Sequence, residues 1–438
     1  MRTNRRTWLT GSTCLLIGVL IAQSLVAVAA EKPNLLIVFT DDQGYADLGC
    51  YGSLKHKTPR LDRLAQEGTR FTSFYSQTVC GPSRSALLTG RYPIRSKGWS
   101  MPASEITFAE LLGDAGYQTA RIGKWDVSDR KPIVERMPNA QGFDDYFGTL
   151  GANDDGEVVF YEGNQRVGGT RDMASLTTLY TDKAIEYLEE RRDPEKPFVL
   201  YLAHTMLHTI IDASYRFRGK SAGGLYGDVI EELDHETGRL LDTLDKLGLR
   251  DNTLVVYTSD NGPWNQKKYT QSKKGHPEGS VFWGDAGSLR NGKGSPYEGG
   301  YRLPCIVRWP GKAPAGRVSD ALFATIDFLP TFLALAGIEP PDDRRIDGID
   351  QTDLLTGRRD TGRETFYFDR AGVRQGKWKY LRANAFFHNY AIENDREDSE
   401  ELYNLEEDVA ERHNLASTYP EKVAELRSLL RSIEEPTR

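Results

Sequence analysis

The side chains able to do chemistry sit in a few short segments. Cys80 opens the run Cys80-Gly81-Pro82-Ser83-Arg84. Pro82 suits the first turn of a helix continuing through Leu88, which places Cys80 at a helix N-terminus, where unpaired backbone N–H groups favour an anion. Arg84 adds its charge one turn further in. By position alone the cysteine is either a buried structural residue or a nucleophile paired with His208. Two acidic turns, Asp41-Asp42-Gln43-Gly44 and Asp260-Asn261-Gly262, offer carboxylate and amide oxygens. Each alone reads more often as an ordinary turn, although oxygen donors of this kind suit a hard cation, Ca²⁺ or Mg²⁺, better than zinc. His204 and His208 bracket Thr205-Met206-Leu207.

These segments need elements to position them. Apolar runs Asn34 to Thr40, Phe198 to Ala203 and Thr253 to Ser259 read as buried strands, each ending in one of the loaded turns. Helical patterns lie between them. Thr58-Pro59 opens one with a cap and a first-turn proline. Thr107 with Glu110 forms a capping box, closed at Gly116. The longest runs from Gly227 to Leu247. Alternating strands and helices predict an α/β fold with a large, mostly parallel sheet flanked by helices. Ligands bind such sheets outside the carboxyl ends of the strands. A helix from Ala324 to Ala336 and a Pro/Asp/Arg-rich connector from Glu339 to Asp347 follow. From about Thr365 short runs such as Phe366-Tyr367-Phe368 and Trp378-Lys379-Tyr380-Leu381 predict a small C-terminal antiparallel sheet, with a last helix from Tyr419 to Glu434.

The chain of 438 residues carries 39% hydrophobic and 27% charged residues, the balance of a globular protein. Its 56 basic and 63 acidic residues argue against a general nucleic-acid binder. Arg2, Arg5 and Arg6, an apolar run from Leu15 to Ala29 and the small residues Val28-Ala29-Ala30 read as a signal peptide, 1–30, cleaved before Glu31. The run is shorter than the roughly 20 residues of a spanning helix, so a periplasmic or secreted protein without a stable membrane span is expected. Cys50, Cys80 and Cys305 remain after cleavage. Pairing of Cys50 with Cys305 stays open. The division expected is 31–355 for a catalytic domain and 356–438 for a C-terminal subdomain.

Cys80 to Arg84, continuing to Leu88-Thr89-Gly90-Arg91, resembles the signature of the formylglycine-dependent sulfatases of the alkaline phosphatase superfamily, and Tyr215 to Lys220 with Leu225 to Asp228 resembles their arylsulfatase A-like branch. The resemblance implies that a formylglycine-generating enzyme oxidises Cys80 to an aldehyde, whose hydrate attacks the sulfur of a sulfate ester. It implies that Asp41, Asp42, Asp260 and Asn261, with the modified Cys80, hold one calcium ion. Gly116 to Trp125 and Gly292 to Pro304 resemble family blocks in which Lys124 and Lys293 contact sulfate. His208 maps to the histidine that assists the leaving oxygen as a general acid, and His204 to a supporting position. Glu401 to Leu405 with Asn414-Leu415-Ala416 resembles the family's C-terminal subdomain. The implied substrate is a sulfated carbohydrate or an aryl sulfate.

Two positions depart from the family pattern. Asp126 follows Trp125 where relatives have a histidine that takes a proton during sulfate release. Aspartate accepts the same proton or contacts substrate directly, but it also adds negative charge beside an anionic substrate. Ala152 stands where serine is common, ahead of Asn153-Asp154. These departures keep two alternatives in view, a phosphonate or phosphate diester hydrolase with the same centre and a glycan-binding homologue without turnover. The segment Pro263 to Gly292, with Trp264, Lys267, Lys268, His276 and Trp283, reads either as a sugar-stacking substrate loop or as a solvated loop; with export it tilts the expectation towards glycans.

Overall fold

Strands β1 (Asn34–Thr40), β7 (Phe198–Ala203) and β8 (Thr253–Ser259) form where the apolar runs predict them. In this computed structural model, residues 32–264 and 283–435 are described, apart from Tyr390, 392–394 and Arg396, together with Met1. The expected leader and most of the lysine-rich loop, including Lys267, Lys268 and His276, lie outside the described residues.

The remaining strands of the large sheet are β2 (Thr69–Tyr75), β3 (Gln118–Lys124), β4 (Asp145–Thr149), β5 (Val158–Glu162), β6 (Gln165–Thr170), β9 (Arg302–Arg308), β10 (Arg317–Ser319) and β11 (Phe323–Ala324). The order is β10-β2-β9-β8-β1-β7-β3-β4-β5-β6, with β11 also paired to β2. The centre, β8-β1-β7-β3-β4, is parallel throughout. Register decides where its ends fall: Thr40 pairs with Ser259, Phe39 and Gly123 each pair with Ala203, and Lys124 pairs with Thr149. The turns after β1, β3, β4, β7 and β8 therefore emerge along one edge.

Both faces of this sheet are covered, as a parallel sheet requires. Leu36 and Val38 of β1 enter one core with the helices Pro59–Glu67, Leu176–Glu186 and Gly224–Lys246. Leu35, Ile37 and Phe39 enter the opposite core with the helices Cys80–Thr89, Phe108–Asp114 and Phe328–Ala336. The capping box of Thr107 and Glu110 forms with both reciprocal bonds.

The helix Pro59–Glu67 differs from expectation at its start. Thr58 makes no side-chain cap bond to it. Its hydroxyl instead accepts from Gly49 N and donates to Asp62 Oδ1, while Asp234 on the long helix accepts from Leu61 N at 2.8 Å and Arg60 N at 3.2 Å. A carboxylate on a packed neighbour satisfies the N–H groups a local cap would otherwise take.

A second sheet of antiparallel strands β12 (Thr365–Phe368), β13 (Gly372–Gln375), β14 (Trp378–Leu381) and β15 (Glu401–Asn404) packs with the helix Pro420–Glu434 around a third core. Lys379 of β14 is fully buried between Glu298 (3.0 Å) and Glu411 (2.7 Å), and Glu298 lies just before β9 of the large sheet. Both sheets belong to one compact unit. Cys50, Cys80 and Cys305 are unpaired, and no helix among the described residues is long and apolar enough to cross a membrane.

Candidate active site

Cys80 is the first residue of the helix Cys80–Thr89, and it is buried. Val79 before it is extended, so the thiol sits where the chain turns into the helix. Gly81 is obligatory by close approach, because a Cβ there would stand 2.2 Å from the Trp99 ring. Arg84, one turn on, is also buried and reaches Asp260 at 2.8 Å and Asp41 at 3.5 Å.

From the thiol a closed circuit of contacts runs around the site. Cys80 Sγ lies 3.3 Å from Asp41 Oδ1, and Asp41 Oδ2 accepts from Lys124 Nζ at 2.6 Å. Lys124 is 3.5 Å from Asp126, which accepts from Arg130 Nε at 2.7 Å. Arg130 Nη1 donates to Asp154 at 2.8 Å, and Asp154 lies 3.6 Å from His208 Nε2. His208 Nε2 is 3.8 Å from Asp42, which takes Lys293 Nζ at 2.6 Å. Lys293 closes the circuit, 3.5 Å from Cys80 Sγ. From Asp41 round to Lys293, acidic and nitrogen-bearing groups alternate, and Cys80 stands between these two ends.

This alternation sets the charge states. Burial opposes ionisation of Asp41, yet Lys124, His208, Arg84 and Lys293 hold it well below the usual carboxylate range. Lys124 and Lys293 stay cationic despite burial because carboxylates face them, Asp126 then Asp41 for the first and Asp42 for the second. Burial, then Asp260 and Asp41, push the Cys80 thiol well above its ordinary value. His204, also buried, is lowered to about 3 by burial and packs edge-on to Tyr180, 6.3 Å away, as a neutral core residue.

The oxygens of Asp41, Asp42 and Asp260 and the Cys80 sulfur lie within 4.8 Å of one another. Asn261 stands beside them, donating from Nδ2 to Asp42 Oδ1 at 2.7 Å, while its own Oδ1 is buried without a hydrogen-bond partner. Asp42 holds a positive φ of 58°, a conformation costly for a non-glycine residue and concentrated at functional sites. Three carboxylates and an orphaned amide oxygen fit a hard divalent cation.

All residues expected at the site from the sequence meet here: Asp41, Asp42, Cys80, Arg84, Lys124, Asp126, His208, Asp260, Asn261 and Lys293. Three further residues join them; Trp99 and Arg130 carried no sequence signal for this place, while Asn153 carried one only as part of the Ala152-Asn153-Asp154 segment. Trp99 donates its indole N–H to Asp126 at 3.1 Å. Arg130 joins Asp126 to Asp154. Asn153 donates to the His208 and Ile210 carbonyls at 2.9 and 2.7 Å, holding the loop that presents His208. Trp264 lies at the site, its ring 5.2 Å from that of His208 with Lys293 Nζ 4.9 Å above it. Trp283 instead packs against the core under the long helix.

The sulfatase family model matches residues 33–338, and that of the N-sulphoglucosamine sulphohydrolase C-terminal region matches 292–435. N-acetylgalactosamine-6-sulfatase of Canis lupus familiaris is 37% identical over 392 residues, covering 81% of this chain and 72% of that protein. Arylsulfatase G of Rattus norvegicus is 30% identical over 448 residues, covering 90% and 84%. A structure solved in work on the metabolism of multiple glycosaminoglycans by Bacteroides thetaiotaomicron superposes with a TM-score of 0.81 at 30% identity, covering 92% of this chain and all of that one. With its nucleophile position, its cations and its oxygen cluster gathered at one sheet edge, this chain belongs to the formylglycine-dependent sulfatase family and is a sulfuric ester hydrolase.

Proposed function

We propose that the protein releases inorganic sulfate from sulfated glycans, through a formylglycine hydrate derived from Cys80. The observation that carries this reading is the closed circuit around Cys80, where Lys124 and Lys293 of the circuit, with Arg84 paired to Asp41 beside it, surround one buried position. A sulfate ester gathers negative charge on its oxygens as the ester bond breaks. Preorganised cations in a water-poor site stabilise that charge without reorganising. Lys124 and Lys293 would bind the sulfate oxygens, and Arg84 orients Asp41 and Asp260. The formylglycine hydrate, when formed, supplies the hydroxyl that attacks sulfur.

His208 donates Nδ1–H to the Thr209 carbonyl at 2.8 Å, which turns Nε2 towards the site as the atom able to protonate the leaving alcohol. Asp41, Asp42, Asp260 and Asn261 would hold calcium, which supplies positive charge beside the nucleophile. Asp126 occupies the place of the family histidine. The aromatic face of Trp264 beside His208 supports a sugar ring as the leaving group, as does the substrate in the name of the N-acetylgalactosamine-6-sulfatase relative. Export to the periplasm or medium, maturation by a formylglycine-generating enzyme, and a division into 31–355 and 356–438 complete the reading.

The test pairs mass spectrometry of the tryptic peptide Phe71–Arg84, from protein made in its native host, with a sulfate-release screen on sulfated glycans and matched phosphate esters. Conversion of Cys80 with faster sulfate than phosphate release is expected. An unmodified thiol throughout would falsify the mechanism.

A further inference from the structure

We propose that Arg130 is a positioning residue of the sulfate site: its guanidinium holds Asp126 against Lys124 and cancels the charge that this carboxylate would otherwise present to an anionic substrate. The inference rests on the sulfatase reading above. Asp126 is fully buried, and its two oxygens are divided between partners. Oδ1 takes Arg130 Nε at 2.7 Å, while Oδ2 takes the Trp99 indole at 3.1 Å and faces Lys124 at 3.5 Å. The carboxylate expected from the sequence to accept a proton during turnover is thus committed on both oxygens. Burial works against its ionisation, but Lys124 and then Arg130 keep it below the ordinary range.

The loop that delivers Arg130 is held in shape. Asp126, Asp129 and Arg130 have positive φ values of 60°, 55° and 56°, a region disfavoured for residues with a Cβ. Arg136 fastens it, donating to Asp129 at 2.7 Å and to the Met101 and Val127 carbonyls at 2.8 and 3.0 Å. Trp99, which also packs on Gly81 next to Cys80, ties the same loop to the nucleophile helix. Arg130 is 40% exposed and Asp154 36%, so this pair forms the open side of a circuit whose other members are buried. Without Arg130 the mouth keeps two carboxylates and loses the cation between them.

The test measures inorganic sulfate binding by calorimetry, with kcat and KM on a sulfate ester the wild type hydrolyses, for R130A, R130K, D126N and D126N/R130A. R130A is expected to weaken sulfate binding about fivefold, because it leaves the buried Asp126 without this partner while solvent already screens part of the Arg130 charge, with KM rising more than kcat falls. D126N/R130A is expected to recover most of that loss, because the carboxylate whose charge Arg130 cancels is removed with it, while Asp41, Asp42 and Asp260 are the same in every variant. R130K, which keeps the charge without the fork, falls between. Should R130A not fold, R130Q carries the same expectation. Unchanged sulfate binding in R130A, or a double variant no tighter than R130A, overturns the assignment while wild-type turnover leaves the sulfatase reading standing. Wild-type protein that neither binds sulfate nor hydrolyses any sulfate ester overturns both.

Discussion

Two of the buried ionic clusters among the described residues are built to opposite ends. The circuit around Cys80 gathers residues from the turns after β1, β3, β4, β7 and β8, and it leaves acceptors such as Asn261 Oδ1 without protein partners. The clasp at Lys379 places one ammonium between Glu298 and Glu411, both carboxylates buried, where a short helix of the main sheet meets the C-terminal strands. Burying charge is expensive in either place, and a buried pair is weak evidence for stability on its own. The difference lies in what completes each cluster. The clasp is closed by protein groups, so its energy is spent on docking. The circuit keeps capacity for a cation and an anion, so part of its energy is released only on binding.

That contrast can be broken in several ways. The largest effect is expected for Cys80→Ala, which should abolish sulfate release if, as proposed, the attacking hydroxyl originates there; its thermal unfolding should stay close to wild type. Turnover within tenfold of wild type would remove Cys80 from the mechanism. Chelation of divalent ions should lower activity by about an order of magnitude or more and reduce the unfolding temperature, both restored by calcium, because the carboxylates then repel one another. Loss of activity without any stability change would place the ion elsewhere.

Lys379→Met should cost about 3–5 kcal/mol of stability by leaving the buried Glu411 without its cation and Glu298 with Arg302 but not Lys379, with sulfate affinity of the folded fraction unchanged. Denaturant unfolding and calorimetry separate the two quantities. Altered sulfate affinity would mean the clusters are coupled. Asn153→Ala should reduce kcat several-fold and stability by about 1–3 kcal/mol, as two buried carbonyls at His208 and Ile210 lose a donor. An unchanged kcat would show that the His208 loop holds itself.

The smallest effect is a pH dependence. Burial raises Glu411 to about 7, against the opposing pull of Lys379. A carboxyl raised on folding contributes stability that is full below its unfolded value and lost as pH rises through the folded one. Wild-type stability should therefore fall between about pH 4.5 and pH 7 through this group, and Glu411→Gln should flatten that slope. A slope identical in the two proteins would assign it to other groups.

Much of the catalytic edge was legible in the sequence because strand and turn are contiguous there. Asn34–Thr40 running into Asp41-Asp42, and Thr253–Ser259 running into Asp260-Asn261, declare themselves by period and by composition. The C-x-P-S-R run and its family resemblance added Cys80 and the lysines. Arg130 and Trp99 were not legible, and of Asn153 only its place in the Ala152-Asn153-Asp154 segment was, not its hold on the His208 loop. Each is a common residue in a loop, and its role arises from what the fold brings opposite it. The cap from Asp234 was hidden for the same reason, since its partners at Arg60 and Leu61 lie on another helix.

The sequence by itself determined the alternation of strands and helices, the capping box at Thr107, and which side chains carry chemistry, because these depend on residues near one another along the chain. Only the tertiary structure decided that the loaded turns close into one circuit, that Asp126 is committed to Lys124, Trp99 and Arg130, and that Lys379 is sealed between two glutamates. Those outcomes depend on register across a parallel sheet and on the packing of distant loops, where a shift of one strand position would part the charges that now meet.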